Sequence, residues 1–173
     1  MYFDIDSLVK AQAISLGSKQ VLLNKKVIIE EKTESKEVEI NEEKWLEELK
    51  LFSLANINKP INMGLYTVVD KKDESSNLLI REYNHIIPMD SEVPYMRLWY
   101  LEEIKNTRKI QLKFVQDNIV YHSERELSME LSMSEGGNTL TRYTISGYQK
   151  LLGMDSTTYS VEGKIVLPKP KNK

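Results

Sequence analysis

The segment YTISGYQKLLGMDSTTYSVEGKIVL, residues 143–167, contains one short pattern twice. Tyr143-Thr144-Ile145-Ser146-Gly147 and Tyr159-Ser160-Val161-Glu162-Gly163 each set an aromatic, a β-branched residue and a glycine at every second position. Alternate residues of a strand share a face, so Tyr143, Ile145 and Gly147 lie on one side of a first strand, and Tyr159, Val161, Gly163, Ile165 and Leu167 on one side of a second. The GMDST between them has turn composition, which makes the two strands antiparallel neighbours. Glycine inside a strand leaves a hole or permits a sharp bend, and a tyrosine of the next strand can cover it. The repeat therefore predicts a curved sheet. A second use of Tyr143, Gly147, Tyr159 and Gly163 is to line a ligand cavity.

Working outward, IVYHSERELSMELSMS (119–134) alternates clearly. Ile119, Tyr121, Leu127, Met129, Leu131 and Met133 fall on one face, and His122, Glu124, Glu126, Ser128, Glu130 and Ser132 on the other, as in a sheet with one dry and one wet side. Further strands are predicted at 64–72, 77–85, 95–104 and 108–117, separated by DESSN, PMDSEVP and QDN, with EGGN after residue 134. Short turns make the last four strands antiparallel in sequence order.

The N-terminal third reads differently. DIDSLVKAQAISLGS (4–18) predicts an amphipathic helix capped by Asp4 or Asp6 and ended by Gly17. KKVIIEE (25–31) and KEVEI (36–40) predict a hairpin joined by KTES. NEEKWLEELKLFSLA (41–55) predicts a second helix with Asn41 as cap and Trp45, Leu49 and Phe52 on one face. The expected fold is α+β and β-dominated: a curved antiparallel sheet or half-barrel of about 8–9 strands packed on one or two helices. Residues 1–167 form one domain, followed by a flexible basic tail, PKPKNK, over 168–173.

Composition excludes several classes of function. The 173 residues, 40% hydrophobic and 29% charged, suffice for a core, and the net charge of −2 is spread along the chain. Without a basic field no nucleic-acid partner is expected. The absence of cysteine removes disulfides, thiolate metal sites and cysteine nucleophiles. No apolar run approaches the ~20 residues of a membrane span. No signal peptide is visible, and the abrupt start at Met1 before YFDIDSL is compatible with removal of a leader.

Catalytic patterns are scarce. His85 and His122 are the two histidines, neither in a recognisable nucleophile motif, and SEGGN lacks the lysine and spacing of a phosphate loop. His122, Glu124 and Glu126, spaced by two on one strand face, are the candidate metal or acid–base set. Charged strand faces are usually solvated, so no metal, cofactor or enzymatic activity is expected. The cluster VPYMRLWYLEEI offers Tyr95, Trp99 and Tyr100 as candidate binding aromatics, beside Met89 and Met96. The competing arrangement is a core strand with Met96, Leu98 and Tyr100 inward and Trp99 outward with Arg97 and Leu101.

YFDIDSLVKAQAISL, KKVIIE, EKWLEELKLFSLANINKP and YTISGYQKLLGMDSTTYSVEGKI together resemble a group of small envelope lipoproteins of Bacteroidetes-type bacteria. In that group an aromatic-Asp start follows the lipidated cysteine, and a Trp and Glu-Leu helix, here Trp45 and Glu48-Leu49, runs into an Asn-Lys-Pro turn, here Asn58-Lys59-Pro60. The cysteine has no counterpart in this sequence, so the anchor is an implication of the resemblance. It implies an outer-membrane-anchored domain facing the periplasm, with no site residues to carry over. Open half-barrels of envelope lipid carriers resemble the expected plan at the level of fold alone. The expected function is non-catalytic binding of an envelope protein partner or a role in an assembly. A carrier or sensor of a lipid-like or other hydrophobic small molecule is the alternative, and a hydrolase using His122 with Glu124 or Glu126 the second.

Overall fold

The computed structural model describes residues 1–134 and 136–166, and the tail expected over 168–173 lies outside the described residues. Helix α1 (Ile5–Ser18) leads into β1 (Leu22–Ile29) and β2 (Lys32–Glu39), then α2 (Glu42–Glu48) and α3 (Lys50–Leu54). Seven strands follow: β3 (Tyr66–Lys72), β4 (Leu79–His85), β5 (Tyr95–Tyr100), β6 (Thr107–Asp117), β7 (Tyr121–Ser134), β8 (Gly137–Leu151) and β9 (Thr157–Val166). All nine belong to one open, curved antiparallel sheet ordered β2-β1-β9-β8-β7-β6-β5-β4-β3. β3 to β9 form a meander in chain order, and the N-terminal hairpin joins its far side through β1 against β9.

Local chemistry explains the helices. Asp4 caps α1 by accepting from the Ser7 amide at 3.1 Å, and Asn41 caps α2 by accepting from the Lys44 amide at 3.0 Å. Gly17 does not end α1, which runs on to Ser18; a Cβ there would lie 2.7 Å from the Glu42 amide nitrogen, so Gly17 admits the start of α2. The single helix expected over 41–55 is two, broken at Leu49 (φ −95°, ψ 8°). The break still leaves Trp45, Leu49 and Phe52 fully buried against the sheet. The β1–β2 turn is also shorter than expected. Glu30 takes φ 51°, the turn closes at residues 30–31, and KTES belongs to β2, a polar edge strand exposed along most of its length. β5 ends at Tyr100, because Glu102 takes φ 59° and the chain enters a 3₁₀ turn at Ile104–Asn106.

One core lies between the helices and the inner face of the sheet. Ile5, Val9, Ala13 and Leu16 of α1 meet Leu23, Leu112, Leu127, Met129, Tyr143 and Ile145, all in one buried cluster. In β5 the alternation places Met96, Leu98 and Tyr100 inward, and Tyr95, Arg97 and Trp99 outward. Two β-bulges, at Trp99/Tyr100 and at Glu130/Leu131, add local bend to the glycine positions.

Candidate functional site

The repeated tyrosine–glycine pattern builds two crossings on adjacent strands. Gly163 lies opposite Tyr143, and a Cβ on it would sit 2.1 Å from Tyr143 Cε1, so the ring lies flat over the glycine. Gly147 lies opposite Tyr159 on β9 and opposite Arg125 on β7. The Tyr159 hydroxyl accepts a hydrogen bond from Arg125 Nε, so its side chain spans the strand that carries Gly147. The first crossing belongs to the core: Tyr143 is fully buried, and its hydroxyl donates to Glu48 Oε1, which also receives Lys25 Nζ at 2.6 Å.

The second crossing is polar. Arg125 is 7% exposed; Nη1 donates to Gln116 Oε1 at 2.6 Å, and Nη2 donates to the Tyr121 hydroxyl. Ser123, two residues earlier on the same inward row, is fully buried, and among the described residues its Oγ has no hydrogen-bond partner. Ser123 and Arg125 share the alternation of Tyr121 and Leu127, so period two alone places them inward; their polarity disguised it.

Of the other expected site residues, Tyr100 is buried on the inner face, and Tyr95, Trp99, His122, Glu124 and Glu126 face outward. Tyr95 donates to Glu126 Oε2 at 2.6 Å, and Trp99 lies under Lys109 Nζ, 4.8 Å from the ring centroid. Glu124 pairs with Lys113 at 2.5 Å, which holds its carboxyl below the usual carboxylate range. His122 Nε2 lies 3.5 Å from Glu124 and 3.2 Å from the Tyr148 hydroxyl. Lys113 and Tyr95 thus engage the two glutamates separately, and among the described residues no three His, Asp or Glu side chains converge on a metal position.

Two phenols give the site a pH signature. Burial, and then the Glu48 carboxylate, hold Tyr143 well above the ordinary tyrosine range. Burial, and then Glu126, push Tyr95 up to about 12. Both stay neutral in the folded protein at a pH where the unfolded chain ionises them. Their contribution is therefore complete below the ordinary value of 10.0 and is lost as pH rises through and beyond it. In a 295 nm absorbance titration, the Tyr143 signal should appear only together with alkaline unfolding, and Tyr143→Phe should remove that late component.

A feature the sequence reading missed sits at one end of the sheet. Because the meander reverses at each turn, the β1–β2, β4–β5, β6–β7 and β8–β9 connections emerge together with the segment entering β3. Except at the β1–β2 turn, which is Glu30-Glu31, they carry exposed apolar residues: Met63 81%, Met89 96%, Ile119 92% and Leu152 74%, with Ile86, Ile87, Val120 and Met154 beside them. At the opposite end the β3–β4 turn is Asp73-Glu74-Ser75-Ser76-Asn77, and the β5–β6 connection carries Glu102, Glu103 and Lys105. Single exposed hydrophobics are ordinary, but their concentration on one end makes it a candidate interaction surface. Open grooves lie there, including one of about 410 Å³ past Ile119, Val120, Leu152 and Met154. Another of about 440 Å³ runs past Tyr66, His85, Ile87 and Val93, and a further one of about 410 Å³ past Met1, Tyr2, Pro60 and Met63. The signal was present in the sequence as apolar residues flanking alternate turns: IIPM, NIV and LLGM.

Comparison with known protein families, curated proteins and solved structures finds no match.

Proposed function

We propose that the chain is a non-catalytic binding domain that docks a protein partner through the apolar end of its sheet. The observation that carries this reading is the concentration of exposed Met63, Met89, Ile119 and Leu152 at one end, where the opposite end has Met133 beside charged turns. Apolar side chains on short, strand-anchored turns need little ordering on binding, so more of their burial is available as affinity. The layer between helices and sheet is filled by Trp45, Phe52, Phe114 and Tyr143, which favours a surface partner over a small molecule carried inside. The resemblance to envelope lipoproteins supports a place in the cell envelope, facing the periplasm. An anchor upstream of Met1 would then leave the domain beside the same apolar end, because Met1 lines a groove with Met63.

The reading is tested by photo-crosslinking in the producing cell, with the reactive residue at Leu152 or Met89 and, as control, at Ser76 in the opposite end. The expected result is one discrete protein adduct from 152 and 89 and none from 76. Leu152→Asp should weaken that association by about 2 kcal/mol, roughly thirtyfold, without lowering Tm. Equal labelling from Ser76, or adducts only to lipid, would replace the protein-docking reading.

A further inference from the structure

We propose that Arg125 forms the floor of an oxyanion site on the inner face of the sheet, and that its ligand is a carboxylate. The argument is one of charge and of donors left without acceptors. Arg125 is nearly buried, yet no ion pair among the described residues includes it. Its partners are the neutral oxygens of Gln116, Tyr121 and Tyr159. Its cross-strand neighbours are Phe114 and Gly147, and the next inward pair is Ser123 with Gln149. A cation withdrawn from water is expensive unless an opposite charge or a full set of acceptors replaces the lost hydration.

The hydrogen bonds confirm the imbalance. Three of the five guanidinium N–H groups are engaged, leaving two. Tyr121 and Tyr159 accept from Arg125, so each hydroxyl proton is free to point elsewhere, and neither phenol donates to any described residue. Ser123 Oγ adds a fifth unaccepted proton, fully buried. Gln116 Oε1, the acceptor in contact with the guanidinium, is already occupied. Two N–H and two O–H groups at a single positive charge, with the Ser123 hydroxyl two residues along the same inward row, describe a receptor for a single negative charge.

The count also selects the class of ligand. A carboxylate carries one negative charge and about four lone-pair sites, close to what the cluster supplies. A phosphate group carries about −1.5 to −2 near neutrality, and one arginine would leave much of that uncompensated. Tyr121 and Tyr159 are half-exposed and frame the approach from the end of the sheet that bears the apolar turns. The site does not depend on the docking reading, since none of its donors belongs to the turn tips.

The test uses the full chain, with propionate and laurate as probes and inorganic phosphate and sodium chloride at matched ionic strength as controls. The readouts are the Arg125 Nε–Hε signal in ¹⁵N NMR and the shift in Tm. The carboxylates should move the Arg125 signal saturably and raise Tm, while phosphate and chloride should do neither. Laurate above propionate would assign an apolar body to the ligand; equal affinities would assign recognition to the carboxylate alone. Ser123→Ala removes a hydroxyl that has no partner in the fold, so it should leave Tm unchanged and weaken carboxylate binding about fivefold. Arg125→Gln should abolish binding, and if that variant fails to fold, Ser123→Ala carries the test. Three results would overturn the proposal: no saturable shift by either carboxylate, equal saturation by phosphate, or affinity unchanged in Ser123→Ala.

Discussion

Gly147→Ala is expected to destabilise the protein by more than about 3 kcal/mol, beyond the usual range for adding one methyl group to a packed site. A Cβ at position 147 would lie 2.0 Å from the Glu124 carbonyl oxygen and 2.9 Å from Arg125 Cα. These are backbone atoms of the neighbouring strand, so no rotamer change relieves the contact. β7 and β8, the longest pair in the sheet, would have to part locally. For a domain of this size the loss corresponds to a fall in Tm of about 10 °C, checked by calorimetry or a urea melt. Gly163→Ala provides the contrast. Its new methyl would meet the side chain of Tyr143, so pairing it with Tyr143→Leu should recover part of the loss, and the double-mutant cycle should be strongly non-additive. No such rescue is expected for Gly147→Ala combined with Tyr143→Leu. A Gly147→Ala variant within about 1 kcal/mol of the parent would show that β7 and β8 have room the structure denies.

Trp45→Ala should cost about 3–5 kcal/mol, the range for removing a large aromatic from a filled core. Trp45 is fully buried in α2, between the break at Leu49 and the sheet. Because α2 has seven residues and α3 five, neither holds its conformation without that burial. The loss should therefore appear as well in the helical part of the far-ultraviolet circular dichroism. Trp45→Phe should be milder than its lost volume implies, since it also deletes an indole N–H that is buried without a partner. Equal losses for the two variants would mean that the indole volume carries no weight in the core.

These expectations rest on features that differ in how far the sequence reveals them. The tyrosine–glycine crossings were legible because a period of two aligns Tyr143 with Ile145 and Gly147 whatever the partner strand. The order of the last four strands was legible because short turns link them, and the structure extends the same order back to β3. The break at Leu49 was not, since leucine favours helix and tertiary docking alone bends the chain there. KTES read as a turn because an edge strand exposed along most of its length has the composition of a loop. Arg125 escaped notice for a related reason. Its position in the alternation is inward, but a charge in a strand is ordinarily placed outward, and only the cross-strand positions of Gln116 and Tyr159, with Tyr121 on its own strand, show what surrounds it. The apolar end is hard to read from sequence because turn composition reports backbone preference, and the apolar residues that flank a turn look the same whether they end a buried strand or stand in solvent.

The seam between β1 and β9 has a consequence for how the protein comes into being. Leu23 pairs with Ile165 and Val27 with Val161, so strands from near opposite ends of the chain must find each other before the sheet is complete. The meander can assemble through local hairpins, quickly and from either side, but this last junction requires closure of a loop that contains almost the whole chain. Until then β1 offers one unpaired edge and β8 another, and both invite pairing with a second nascent copy. The junction that completes the sheet is thus also the place where pairing within one chain competes with pairing between two.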